Sequence, residues 1–214
     1  MKIQSIPVGA FEVNCWLLAN QDQEAIIIDP GADAPLIENC IQKMRLDIKG
    51  YLITHGHMDH ISALAALSTK YPAPIRIHPS DAIWAFSPSN QMPPYYAPPQ
   101  PPPDELLKAD LTESRDNEIA RLRFDVLETP GHSPGSVCLY FPEENTIFTG
   151  DTILAGSAGR TDFPGGNPAD MHNSLKRFLS LPPKTVICSG HGPTSTLEEE
   201  MHTNPFLQNA QQSE

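Results

Sequence analysis

Hydrophobic and polar positions change period several times along the chain, and each change marks an element. Residues 2–8, 14–19 and 25–29 are apolar or alternating runs separated by Gly9 and by the polar stretch 20–24, which predicts a meander of strands. Over 35–44 the positions Leu36, Ile37, Cys40, Ile41 and Met44 recur at helical spacing, with Asp33 or its neighbours placed to cap the helix. Residues 50–53 predict another strand, and 61–69 a helix that ends before Pro72. A second meander is predicted over 119–128, 136–141 and 146–150, then a helix over 171–179 and a buried strand over 185–188. Ser195 and Glu198 fit a capping box that opens a last helix running towards Asn204 and Pro205. The two halves share a strands-then-helix order. This predicts a mixed α/β (α+β) class, a four-layer αββα sandwich with two sheets face to face and helices outside, in one domain over 1–214.

One segment fits neither period. Residues 87–103, SPSNQMPPYYAPPQPPP, carry eight prolines, which exclude helix and central strand alike. The segment reads as a stiff surface connection, or as a lid in which Tyr95, Tyr96 or Met92 shapes a substrate mouth.

Composition narrows the class. A chain of 214 residues with 39% hydrophobic and 19% charged positions can bury a sizeable core. No apolar run approaches the roughly eighteen residues of a membrane span, and the N-terminus lacks a secretion signal, so a cytoplasmic protein without membrane partners is expected. A net charge of -12 with 14 Lys+Arg and no basic run disfavours nucleic acid as a partner. Cys15, Cys40, Cys138 and Cys188 lack C-x-x-C spacing and read as free thiols of a reducing compartment.

The chemistry concentrates at Thr54-His55-Gly56-His57-Met58-Asp59-His60, which directly follows the apolar run Tyr51-Leu52-Ile53. Imidazole nitrogens and carboxylate oxygens are the donors that zinc, iron and manganese accept, and a fold rarely crowds them unless a cation offsets their desolvation. Side chains at i and i+2 of an extended loop point the same way, so His55 and His57 can grip one cation across Gly56 while Asp59 and His60 turn to a neighbouring position. Further strand ends offer His132 in TPGH, Asp151 in GDT and His191 in SGHG. By contrast His78, His172 and His202 lack this glycine-flanked context and read as structural or surface residues. Two divalent cations less two aspartates and one hydroxide leave about one positive charge, suited to a carbonyl substrate and to a bridging water with its pKa drawn to roughly 7. Asp59 is then placed to accept a hydrogen bond from the attacking hydroxide and fix its direction.

The order THGHMDH, TPGH, GDT, SGHG resembles the metallo-β-lactamase superfamily over essentially the whole chain. The segments TPGHSPGSVCLYF, GDTILAGSAGRTDFPGGNP and SGHGPTSTLEEEMHTNPFL are similar to glyoxalase II-type hydrolases, the short bacterial forms in particular. The resemblance implies one metal on His55, His57 and His132, a second on Asp59, His60 and His191, and Asp151 bridging them. It also implies a supporting role for Asp29, for which a turn or cap residue is the alternative, and a substrate contact for Arg160, for which an ion pair with Asp162 is the alternative. The cofactors implied are two divalent ions, zinc first, with iron or manganese as alternatives.

The implied reaction is hydrolysis of a thioester such as S-lactoylglutathione, by a hydroxide bridging the two metals. A thiolate with a pKa near 8.5 leaves without a general acid, so the chemistry permits such a substrate. Full-length glyoxalase II enzymes add a helical C-terminal region whose basic residues hold the glutathione carboxylates, and this sequence stops shortly after Phe206 and Leu207. The other readings of the same motifs are a mononuclear-iron persulfide dioxygenase, a lactonase, and a non-catalytic metal-binding protein of the same fold. Oligomeric state is left open.

Overall fold

The computed structural model describes residues 1–212 and divides into two compact units. Unit 1 is Met1–Leu111 with Glu118–Leu122, and unit 2 is Thr112–Asn117 with the chain from Arg123 on.

Unit 1 holds a six-stranded sheet in the order β1 to β6. Its strands are β1 (Lys2–Val8), β2 (Val13–Ala19), β3 (Glu24–Ile28), β4 (Asp47–Leu52), β5 (Ile75–Arg76) and β6 (Leu107–Lys108). The first three are antiparallel, with Ile6 opposite Cys15 and Leu17 opposite Ile27. From β3 to β6 the strands run parallel, which requires crossovers. Helix α1 (Ala34–Met44) makes the first crossover, α2 (Met58–Ile61) and α3 (Leu64–Lys70) lie in the second, and α4 (Pro79–Ala82) lies in the third, between β5 and β6. Ile37 and Ile41 of α1 join Val13, Cys15, Leu17 and Ala19 from one face of β2 in the unit's core. Every residue of β2 is buried, so both its faces lie inside, as its nearly unbroken apolar run suggests.

Unit 2 holds a second six-stranded sheet, ordered β14-β13-β10-β9-β8-β7. The strands are β7 (Ser114–Ile119), β8 (Leu122–Glu128), β9 (Val137–Phe141), β10 (Thr146–Gly150), β13 (Val186–Ser189) and β14 (Ser195–Thr196), with the small hairpin β11 (Ile153–Leu154) and β12 (Ser157–Ala158) beside them. Cys138, Ile147 and Ile187 pack against Met171 and Leu175 of α5 (Pro168–Lys176), Leu197 of α6 (Leu197–Thr203) and Leu207 and Ala210 of α7 (Pro205–Gln212). On the other side of the sheet Phe141 stacks with Phe124 at 5.4 Å and meets Phe148 edge-on at 5.5 Å.

Most expected elements form within a residue or two, and the departures have local causes. The strand expected over 119–128 is a hairpin, because Ala120 and Arg121 both take φ 53° and turn the chain. The helix expected over 61–69 is two short helices, separated at Ser62 and Ala63, whose N–H groups bond to Gly31 O and Pro30 O. Asp33 begins α1 without capping it through its side chain. Its carboxylate accepts instead from Gly9 N–H at 2.8 Å. The cap of α6 is Thr196, whose hydroxyl accepts from Glu199 N–H at 3.2 Å, not Ser195, which belongs to β14. Helix α7 beyond Asn204 went unanticipated because its apolar face is only Leu207 and Ala210.

Candidate metal centre

In unit 1 the donors leave the C-terminal end of β4. Because β3 and β4 are parallel, Ile28 lies beside Leu52 and Asp29 N–H donates to Leu52 O at 3.2 Å, so the residue after β3 sits against those after β4. Asp29 is buried, with φ 49°. Its carboxylate accepts from Thr54 N–H at 2.8 Å, from the Thr54 hydroxyl at 2.6 Å and from His60 Nδ1 at 3.0 Å.

Proton counting then fixes the tautomers. A carboxylate only accepts, so the single hydroxyl proton of Thr54 goes to Asp29 and its oxygen accepts from His55 Nδ1–H at 3.1 Å. His60 Nδ1 carries the proton that it gives to Asp29. Both imidazoles therefore present a lone pair at Nε2. Donor atoms of His55 lie within 4.8 Å of those of His57 and of His60, and Asp59 within 4.8 Å of His60. His60 Nε2 and Asp59 Oδ2 are 3.9 Å apart, beyond hydrogen-bond length.

A brace holds this loop from behind. Gly56 N–H donates to the fully buried Asp81 at 2.7 Å, and Asn90 Nδ2 donates to Gly56 O at 2.8 Å and to Ala85 O at 2.6 Å. A Cβ on Gly56 would stand 3.1–3.3 Å from Ala85, Asp81 and Trp84, and the Trp84 ring lies 5.4 Å from that of His57. Nearby, the Tyr96 phenol sits over Gly9, and burial pushes its pKa up, with the Asp59 carboxylate adding to the shift. Asp81, Trp84 and Asn90 were missed in the sequence because no spacing ties them to the histidine motif.

Unit 2 supplies its donors from three strand ends. Strands β10 and β13 are parallel, Gly150 lies beside Ser189 and Gly190 N–H donates to Gly150 O at 2.7 Å, so Asp151 and His191 follow neighbouring strand ends. His132 follows Gly131, whose φ of 138° and close approach to α5 leave no room for a side chain, since a Cβ would lie 2.4 Å from Met171 N. His132 Nδ1 is 2.7 Å from Arg160 O, and a carbonyl only accepts, so Nδ1 carries the proton and Nε2 the lone pair. Asp151 Oδ2 is 3.5 Å from both His132 Nε2 and His191 Nε2.

That spacing tests the fit of a metal. It is too long for hydrogen bonds, while two donors bound to one tetrahedral zinc at about 2.0–2.1 Å stand roughly 3.3 Å apart. The residues therefore suit divalent cations. The set is all nitrogen and oxygen, unlike the thiolate cages of structural zinc.

Arg160 forms the ion pair with Asp162 that the sequence allowed. Its guanidinium makes two 2.6 Å bonds to Asp162 and lies 4.0 Å over the Phe163 ring, and this pairing holds the Asp162 carboxyl down at about 2. His78 caps α4 by accepting from Ser80 N–H, and His172 and His202 lie on α5 and α6. All four cysteines are free, and burial pushes Cys138 up to about 11 and Cys188 up to about 12. Among the described residues no helix is long and apolar enough to cross a membrane.

The chain belongs to the metallo-β-lactamase superfamily, whose family model matches residues 8–191. It is 33% identical to hydroxyacylglutathione hydrolase GloC of Haemophilus influenzae, over 97% of this chain and 98% of that one. Among solved structures it is similar to BLEG-1 B3 metallo-β-lactamase, with a TM-score of 0.89, 36% identity and coverage of 96% of this chain and 99% of that one. It is also similar to TTHA1623 in a di-iron-bound form, with a TM-score of 0.81, 33% identity and coverage of 95% and 99%. The fold is thus the metallo-β-lactamase fold, and the chain is a metallo-hydrolase with a metal-binding cluster of histidines and aspartates.

Proposed function

We propose that the seven donors act as one dinuclear centre that hydrolyses thioesters, with S-lactoylglutathione the first substrate to try. In this reading His55, His57 and His132 hold one ion, Asp59, His60 and His191 the other, and Asp151 both. Zinc is the first expectation and iron or manganese the alternative. The observation that carries the proposal is the protonation pattern: His55, His60 and His132 each commit Nδ1–H to an oxygen of the protein and so aim Nε2 at a Lewis acid. The likeness to GloC supports the substrate class.

When bound, such ions supply Lewis acidity to a carbonyl and lower the pKa of water to about 7. The chain does the rest. Asp59, buried beside His60, is set to accept a hydrogen bond from the attacking water and fix its line of approach. Asp29 and the Arg160 carbonyl keep the imidazoles in one tautomer and one orientation. A departing thiolate needs no proton, which matches the committed Nδ1–H groups of His55, His60 and His132. The partner is then a small molecule met in the cytoplasm, where free thiols persist. The test is release of free thiol from S-lactoylglutathione by metal-loaded protein, run beside oxygen consumption with glutathione persulfide. Thiol release without oxygen uptake supports the proposal, and oxygen uptake alone overturns it in favour of a dioxygenase.

A further inference from the structure

The Pro-rich segment is joined to the histidine loop, and it lines that loop with apolar surface. Starting from Trp84 against His57, the chain is tied to Gly56 through Asn90. It then closes a tight turn in which Met92 N–H donates to Tyr96 O at 2.9 Å and Tyr96 N–H to Met92 O at 3.0 Å. That turn sets Tyr95 and Tyr96 against Phe11, with ring centroids 5.4 and 5.2 Å apart. Phe11 itself lies in the β1–β2 turn, whose Gly9 receives the Tyr96 phenol. The result is an ordered wall that leaves Ile83 85% and Tyr95 61% exposed. Trp84 against His57 and Tyr96 within reach of the Asp59 charge tie this apolar surface to the donor loop, and an exposed apolar surface so anchored suits an apolar ligand group.

Charge points the same way. Residues 3–42, 50–69 and 77–107, which supply every unit 1 residue named in the donor loop, the brace and the wall, contain no Lys or Arg. An anionic group laid on this wall would meet no Lys or Arg from these segments.

We infer that the wall of Phe11, Trp84 and Tyr95 receives an uncharged, apolar acyl group, so that the preferred substrates are aliphatic or aryl acyl esters and thioesters, not hydroxyacyl or acidic ones. This rests on the hydrolytic reading above, keeps its thioester chemistry and replaces lactoyl as the preferred acyl group. The experiment uses metal-loaded full-length protein and thioesters of one neutral thiol, N-acetylcysteamine, carrying acetyl, butyryl, hexanoyl, phenylacetyl, lactoyl and succinyl groups, with S-lactoylglutathione alongside.

The expected result is a kcat/KM that rises about four-fold per methylene from acetyl to hexanoyl, with succinyl lowest. Tyr95→Ala and Trp84→Ala should flatten that slope, and Ile83→Ser, at a highly exposed position, serves where Trp84→Ala fails to fold. Equal rates for acetyl and hexanoyl, a preference for lactoyl or succinyl, or a slope unchanged in the wall variants would each overturn the inference while leaving the hydrolase reading intact. No turnover of any thioester would overturn the hydrolase reading itself and this inference with it.

Discussion

The two donor sets are built by opposite means. Unit 1 draws four donors from six consecutive residues and holds them with side chains: Asp29 and Thr54 on one side, Asp81 and Asn90 on the other. Unit 2 draws three donors from three separate strand ends and leans more on backbone: the Arg160 carbonyl on His132, Gly131 and Gly159 where the chain packs too closely for a side chain, and Gly150 at φ 48°, with the Ser189 hydroxyl donating to His191 O at 2.7 Å. A clustered motif needs side-chain braces, because a short loop has few backbone partners of its own. A dispersed set inherits much of its precision from where its strands end.

Mutations should separate the two designs, most strongly at Asp29. Asp29→Ala leaves the Thr54 amide, the Thr54 hydroxyl and His60 Nδ1 without their buried acceptor and should cost about 3–5 kcal/mol in urea unfolding. In refolded protein it should weaken metal binding about 10- to 100-fold by competition with a chelator. At His132 in unit 2 the orienting group is a backbone carbonyl: Arg160→Ala keeps it, so melting temperature and metal content should not change. A metal loss in Arg160→Ala would show that side chains hold unit 2 after all.

The converse appears at glycine. Gly159→Ala places a Cβ 1.8 Å from Asp151 O and should cost about 3 kcal/mol, whereas Gly56→Ala meets its neighbours at 3.1–3.3 Å and should cost about 1 kcal/mol. Equal losses in thermal unfolding would erase the contrast. The smallest effects lie at α6: Thr196→Ala should cost about 1 kcal/mol as a lost cap, and Ser195→Ala less than about 0.5 kcal/mol because the Ser195 hydroxyl makes no hydrogen bond among the described residues. The reverse order would reinstate the capping box read from the sequence.

The same contrast explains what the sequence disclosed. Strands β1 to β4, β8, β9, β10 and β13 and helix α1 were legible because their apolar periods are regular and Gly or polar residues bound them, whereas the two-residue strands and the polar β7 carry no such period. The unit 1 donors were legible because their density has no packing explanation. The unit 2 donors were legible only through glycine-flanked strand ends and a family resemblance, since nothing local links His132, Asp151 and His191. The brace of Asp81 and Asn90 stayed hidden, because a buried carboxylate that accepts one backbone N–H carries no motif. The hairpin turn at Ala120 and Arg121 was missed for a similar reason: neither residue usually adopts positive φ.

The central claim is that both donor sets serve one pair of ions, and metal stoichiometry tests it most directly. Purified protein saturated with zinc, stripped of excess and measured by elemental analysis should carry two ions per chain. Asp59→Ala and His191→Ala should each carry one, and His78→Ala two. A wild-type chain that holds one ion or none, or a loss in His78→Ala equal to that in His191→Ala, would contradict it.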